Sequence, residues 1–182
     1  MTASILTIAD IVILVFLLGV ALYTDLRFGK IYNKLTIPCM ALGLILNLAA
    51  NGLLGLLHSL AGIGLVLILF LMFAPVAGIG GGDIKLMMAV GALMGFPFTL
   101  TLSDNPFLRA ILLSAIIGGV LALLAMAKHR AMLATTKNMA ANFYLKAVLR
   151  VPVEITDGAK GIKFRYSPAI ALGTLLAFFV KF

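Results

Sequence analysis

The sequence predicts an all-α, polytopic membrane helix bundle, and three observations carry that prediction. Hydrophobic residues fill 63% of the 182 positions and charged residues only 11%, with a mean hydropathy of +1.20, which leaves too little polar surface to coat a water-soluble particle. Apolar runs of the roughly 20 residues needed to cross a hydrocarbon core recur along the whole chain. None of these runs has the two-residue alternation of a barrel strand, so helices, which satisfy their own backbone hydrogen bonds in lipid, are the expected form.

About six transmembrane helices follow, at about residues 3 to 23, 36 to 56, 59 to 77, 84 to 102, 108 to 127 and 166 to 181. The first run has no positive segment before it and no soluble domain after it, so it reads as a retained helix rather than a cleaved signal. The second and third lie so close together that a re-entrant hairpin is an alternative to two separate spans. An irregular glycine-rich loop is expected before the fourth. The whole chain, 1–182, reads as a single membrane domain.

Loop charge sets the orientation. Arg27, Lys30 and Lys34 follow the first span, whereas the connection from Asn51 to Ser59 has no Lys or Arg. The third connection ends at Lys85, and the fourth holds Asp104 with Arg109 at its edge. The fifth contains Lys128, Arg130, Lys137, Lys146, Arg150, Lys160, Lys163 and Arg165. Basic loops stay in the cytoplasm, so connections one, three and five face it and both termini lie on the far side, as an even helix count requires. Residues 128–165 are too polar to span. They form a basic cytoplasmic loop that includes a candidate amphipathic stretch from Met139 to Leu149 and suits anionic lipid.

The same composition excludes several functions. A single cysteine, Cys39, cannot form an internal disulfide, and with only His58 and His129 there is no metal-ligand cluster and no cofactor is implied. The net charge of +8 belongs to the loops; no recognition helix or base-stacking platform points to nucleic acid. Ser59 lies beside His58 on the predicted outer side without a nucleophile motif around them. His129 reads as a titrating surface residue and Cys39 as a small core residue.

Chemistry is left to the acids, of which there are six: Asp10, Asp25, Asp83, Asp104, Glu154 and Asp157. Asp25 directly follows the first span and Asp83 directly precedes the fourth, which places both at the cytoplasmic edge. Two carboxylates within hydrogen-bond reach share a proton, because both cannot ionise cheaply. One can then take a proton from an attacking water while the other polarises the amide carbonyl and protonates the departing nitrogen. The bland alternatives are a solvated carboxylate at Asp25, near Arg27 and Lys30, and a helix N-cap at Asp83 with Lys85 snorkelling. Asp10, nearer the outer end of the first span, reads as a polar contact between helices.

The run Gly78-Ile79-Gly80-Gly81-Gly82-Asp83-Ile84-Lys85 puts four glycines in five residues, a poor composition for a continuing helix and one that lets a substrate backbone come close. Gly80, Gly81, Gly82 and Lys85 are therefore candidate substrate-binding or site-shaping residues. A phosphate loop would need a Lys and Ser/Thr pair at P-loop spacing, which is missing.

Gly80-Gly81-Gly82-Asp83 fits a GxGD signature, and the chain resembles the type IV prepilin peptidases, particularly the short kind found with Flp/Tad pili. Asp25-Leu26-Arg27 with Ile31, Asn33, Leu35 and Thr36 resembles the family's first-aspartate segment, and Gly80 to Lys85 with Met87, Gly91 and Gly95 its second. Tyr166, Pro168, Ala169 and Gly173 resemble the closing helix. Tyr32 stands where the family usually has proline in Ile-Pro-Asn, and Arg165 where a proline often precedes the closing Tyr.

The resemblance implies a catalytic pair at Asp25 and Asp83, without metal or cofactor, in a multi-pass protein of the bacterial inner membrane. The implied partner is a pilin or pseudopilin precursor, whose short basic leader is cut from its hydrophobic helix on the cytoplasmic side. Larger relatives add a cytosolic domain with paired cysteines and methylate the new amino terminus. One cysteine and no such domain argue against methylation here. Two other classes compete with an aspartyl endopeptidase: an ion-coupled transporter, which needs acids nearer the midplane, and a noncatalytic membrane assembly factor in which Gly43, Gly62, Gly64, Gly91, Gly118 and Gly119 merely mediate helix contacts.

Overall fold

The computed structural model describes residues 8–77, 80–98, 101–128 and 165–180, and these are all-α. The helices are α1 (Ile8–Phe28), α2 (Asn33–Ala77), α3 (Gly81–Met94), α4 (Pro106–Lys128) and α5 (Ser167–Phe179). Ile8–Phe28, Asn33–Leu69 and Pro106–Leu124 are each long and apolar enough to cross a membrane, whereas Ser167–Phe179 is an apolar helix of 13 residues. Large apolar side chains stand outward on every long helix, among them Phe16 at 59%, Leu54 at 64% and Leu124 at 61% exposed. Water does not tolerate such a continuous apolar surface, and lipid does. The chain is an all-α membrane protein.

The 45 residues of α2 would reach roughly 67 Å if straight, more than twice a hydrocarbon core. They fold back instead. Gly52, at φ 61 and ψ −148, breaks the helical path, in a backbone region that glycine enters without the penalty of a Cβ. The two arms then pack on the same stretch of α3. On the first arm the Asn47 amide donates to the carbonyls of Ala92 and Leu93, both at 3.2 Å, and on the second the Ser59 hydroxyl donates to Ala92 at 2.7 Å. Contact is close enough that a Cβ on Gly43 would stand 2.8 Å from the Ala92 carbonyl carbon, and one on Gly62 2.8 Å from that of Gly91. The expected second and third spans are thus two arms of one hairpin whose turn, at Gly52, falls inside the expected connection from Asn51 to Ser59 and a few residues before the end drawn for the second span at 56.

The expected fourth span, 84 to 102, ends early. Helix α3 stops at Met94, with Gly95 at φ 68 as its C-cap and Pro97 just beyond, where a proline cannot extend the ladder. Helix α3 lies at the centre, with α2 wrapped around it, α4 paired with α5, and α1 touching α2, α3 and α5. The core joins Leu14 and Leu17 of α1, Leu86 and Leu93 of α3, Phe107 of α4 and Ile170 of α5. The basic loop expected over 128–165 lies outside the described residues except for its ends, Lys128 and Arg165.

Candidate functional site

Asp25 is buried because of its register. The buried face of α1 reads Asp10, Leu14, Leu17, Leu18, Ala21 and Asp25, the three-and-four spacing of a single helical stripe. The helix continues past the expected end of the first span to Phe28, so Asp25 sits in its last turn rather than in the following loop. Gly29, at φ 64, closes the helix by donating its N–H to the Asp25 carbonyl at 2.8 Å. The side chain is 7% exposed and accepts a 2.6 Å hydrogen bond from the Ser167 hydroxyl at the start of α5.

Asp83 approaches from the other side. The expected irregular loop is narrower than its composition suggested: Gly80 is extended, at φ −69 and ψ 143, but Gly81 and Gly82 are already helical, so Asp83 occupies the first turn of α3. Its N–H closes that turn on the Gly80 carbonyl at 3.0 Å. Gly78 and Ile79 lie outside the described residues. Gly82 faces Ile31 so closely that a Cβ there would stand 3.1 Å from the isoleucine Cβ.

Both carboxyl-bearing residues line one cavity of about 400 Å³, together with Gly29, Lys30, Ile31, Tyr32, Asn33, Gly80 and Gly82. That size suits a short peptide segment rather than a folded domain. Of the expected shaping residues, Gly80 and Gly82 line the cavity and Gly81 does not. Lys85 stands beside it, its ammonium donating to Asn33 Oδ1 at 3.0 Å and so tying α3 to the start of α2. Asp10 is fully buried 15 residues before Asp25 on α1, roughly 22 Å away along the axis, and takes no part.

The electrostatics are unequal. Burial, followed by the charge of Asp25, pushes the Asp83 carboxyl up to about 6 from its ordinary 3.8, against a Gly80 backbone hydrogen bond that pulls it down. The dipole of α3 runs the other way, favouring charge on Asp83 at a helix start by about 0.3–1 kcal/mol.

Three residues at the start of α5 had no place in the sequence-based site. Arg165 donates to the Leu26 carbonyl at 2.7 Å, beside Asp25. The Tyr166 hydroxyl donates to the Ser114 carbonyl at 3.2 Å, and burial, then the charge of Asp83, push that phenol up. Ser167 bridges 142 positions of sequence to reach Asp25. A serine before a proline is an ordinary helix start, so only the fold exposes this link.

A family model described as "Type IV leader peptidase family" matches residues 12–123, a stretch that includes both Asp25 and Asp83 and ends before α5. No curated protein and no solved structure matches the chain.

Proposed function

The chain belongs to the type IV leader peptidase family, and from that premise we propose that it is an intramembrane aspartyl endopeptidase acting through Asp25 and Asp83. Its substrate is a pilin or pseudopilin precursor, whose short basic leader it removes at the cytoplasmic edge of the bacterial inner membrane. The observation that carries this reading is that the two carboxyl-bearing residues, distant in sequence, line a single cavity, with Asp83 holding its proton up to about 6.

In this pair one carboxylate takes a proton from water as the water oxygen bonds to the amide carbon, while the protonated partner donates to the carbonyl oxygen. The tetrahedral intermediate collapses by breaking the C–N bond, and the nitrogen takes a proton from the pair to leave as a free amine. Gly80 and Gly82 let the cleavage segment lie close to the enzyme backbone, and Lys85 holds the rim in shape. The basic connections support a cytoplasmic orientation for this end of the bundle. The two arms of α2 each cross the bilayer, which with α1, α3, α4 and α5 gives six crossings.

Membranes carrying the protein and a co-expressed pilin precursor test the reading. Asp25→Asn and Asp83→Asn, which keep the side-chain shape but cannot cycle the proton, are each expected to abolish leader removal. Full processing by either variant refutes the dyad.

A further inference from the structure

We propose that Ser167 is a positioning residue of the carboxyl pair: its hydroxyl holds the negative charge on Asp25, making Asp25 the base and leaving Asp83 as the acid that keeps the shared proton. The role names rest on the peptidase reading above; the placement of the charge does not.

Ser167 is fully buried, and its O–H donates to Asp25 Oδ2 at 2.6 Å. Such a short donor contact to a carboxylate strengthens when the acceptor is ionised. Ser167 does not line the cavity, so it acts on the reaction through Asp25 rather than by touching a substrate.

Its own position is fixed on both sides. Pro168 follows it in the first turn of α5, where a preset φ suits the start of a helix. Before it, Tyr166 packs against Gly118 and is pinned to the Ser114 carbonyl, while Arg165 is pinned to the Leu26 carbonyl at the end of α1. Three consecutive side chains therefore reach α1, α4 and Asp25 itself. Asp83 sits in the first turn of α3, where burial together with the Asp25 charge raises its carboxyl.

Among the described residues, the elements packed near Asp25 carry as charged and titratable groups Asp83 and Lys85 of α3, Lys30 and Tyr32 of the connection before α2, Lys34 in the first turn of α2, Tyr23 and Arg27 of α1, the latter turned onto Tyr23 and Phe28, and Arg165 with Tyr166 before α5. The cations favour ionisation of either carboxyl; the Ser167 hydroxyl is directed at one of them.

The test follows the carbonyl stretch of protonated carboxyls by infrared difference spectroscopy in the purified full-length protein in detergent micelles, with Asp25→Asn and Asp83→Asn assigning the bands. Ser167→Ala is expected to move the lower midpoint of the pair upward by about one pH unit, a tenfold change in the ionisation equilibrium. Ser167→Cys, close in size but a weak donor, moves it the same way and decides the matter if the alanine variant does not fold. Unmoved midpoints in a variant of wild-type helix content overturn the inference. For a co-reconstituted pilin precursor, the acid limb of the cleavage rate rises by the same amount. Midpoints that move in a protein that cuts no precursor keep the charge assignment and sink the peptidase reading; cleavage with unmoved midpoints does the reverse.

Discussion

Replacing Asp83 by asparagine is expected to stabilise the protein while removing its activity. The carboxyl is pushed from 3.8 up to about 6, and each pH unit of such displacement is worth about 1.36 kcal/mol, so the ionised side chain costs the fold about 3 kcal/mol. Solvent reaching a partly buried group trims this to about 2 kcal/mol. The sign follows from linkage: below about 3.8 both folded and unfolded chains hold the proton, and the variant gains nothing. Between about 3.8 and 6 the unfolded chain releases a proton that the fold retains, so wild-type stability falls; above 6 the deficit is constant. Titration with sodium dodecyl sulfate in mixed micelles, followed by circular dichroism, reads the difference at about pH 8 and again at about pH 3.5. A gain confined to the higher pH is expected. A variant less stable than wild type at the higher pH, or equally stabilised at both, refutes the assignment of a strained carboxyl to this position.

Two further predictions concern the scaffold. Gly62→Ala drives a Cβ to 2.8 Å from the Gly91 carbonyl carbon, where backbone meets backbone and nothing can yield; the same titration should show a loss of about 1–3 kcal/mol, whereas Gly64→Ala, with nothing within 4 Å, should be neutral or slightly stabilising. Asn47→Ala removes a buried amide that donates to Gly43 at 3.1 Å and to Ala92 and Leu93 at 3.2 Å, and is expected to cost about 1–3 kcal/mol in that assay and to speed amide hydrogen exchange in α3.

Much of this arrangement was legible in the sequence, because the strongest signals were local. Apolar run length gave the helical class, and Asp25 and Asp83, paired in the sequence by their places beside apolar runs, line one cavity. The turn of α2 falls at Gly52, inside the connection read over Asn51 to Ser59, but the second span was drawn on to 56 because hydropathy stays high through Gly52. The end of α3 was overrun for a similar reason, since Gly95 and Pro97 interrupt an apolar run without lowering its hydropathy much. Helix α1 was cut short because its last turn carries Asp25 and Arg27, which read as loop residues until their burial and partners are known. Ser167 was invisible: its significance comes from a contact across most of the chain, and nothing in its neighbourhood distinguishes it from an ordinary helix start.

The brevity of two helices has a consequence for the surrounding lipid. At 14 and 13 residues, α3 and α5 are only about 20 Å long each, some 10 Å less than the hydrocarbon slab they must bridge on the proposed topology. A bilayer meets such a mismatch by pinching inward beside the short elements. On the proposed topology the leaflet next to Asp25 and Asp83 is drawn toward them with its headgroup hydration, a lateral route for the water that the proposed cleavage consumes.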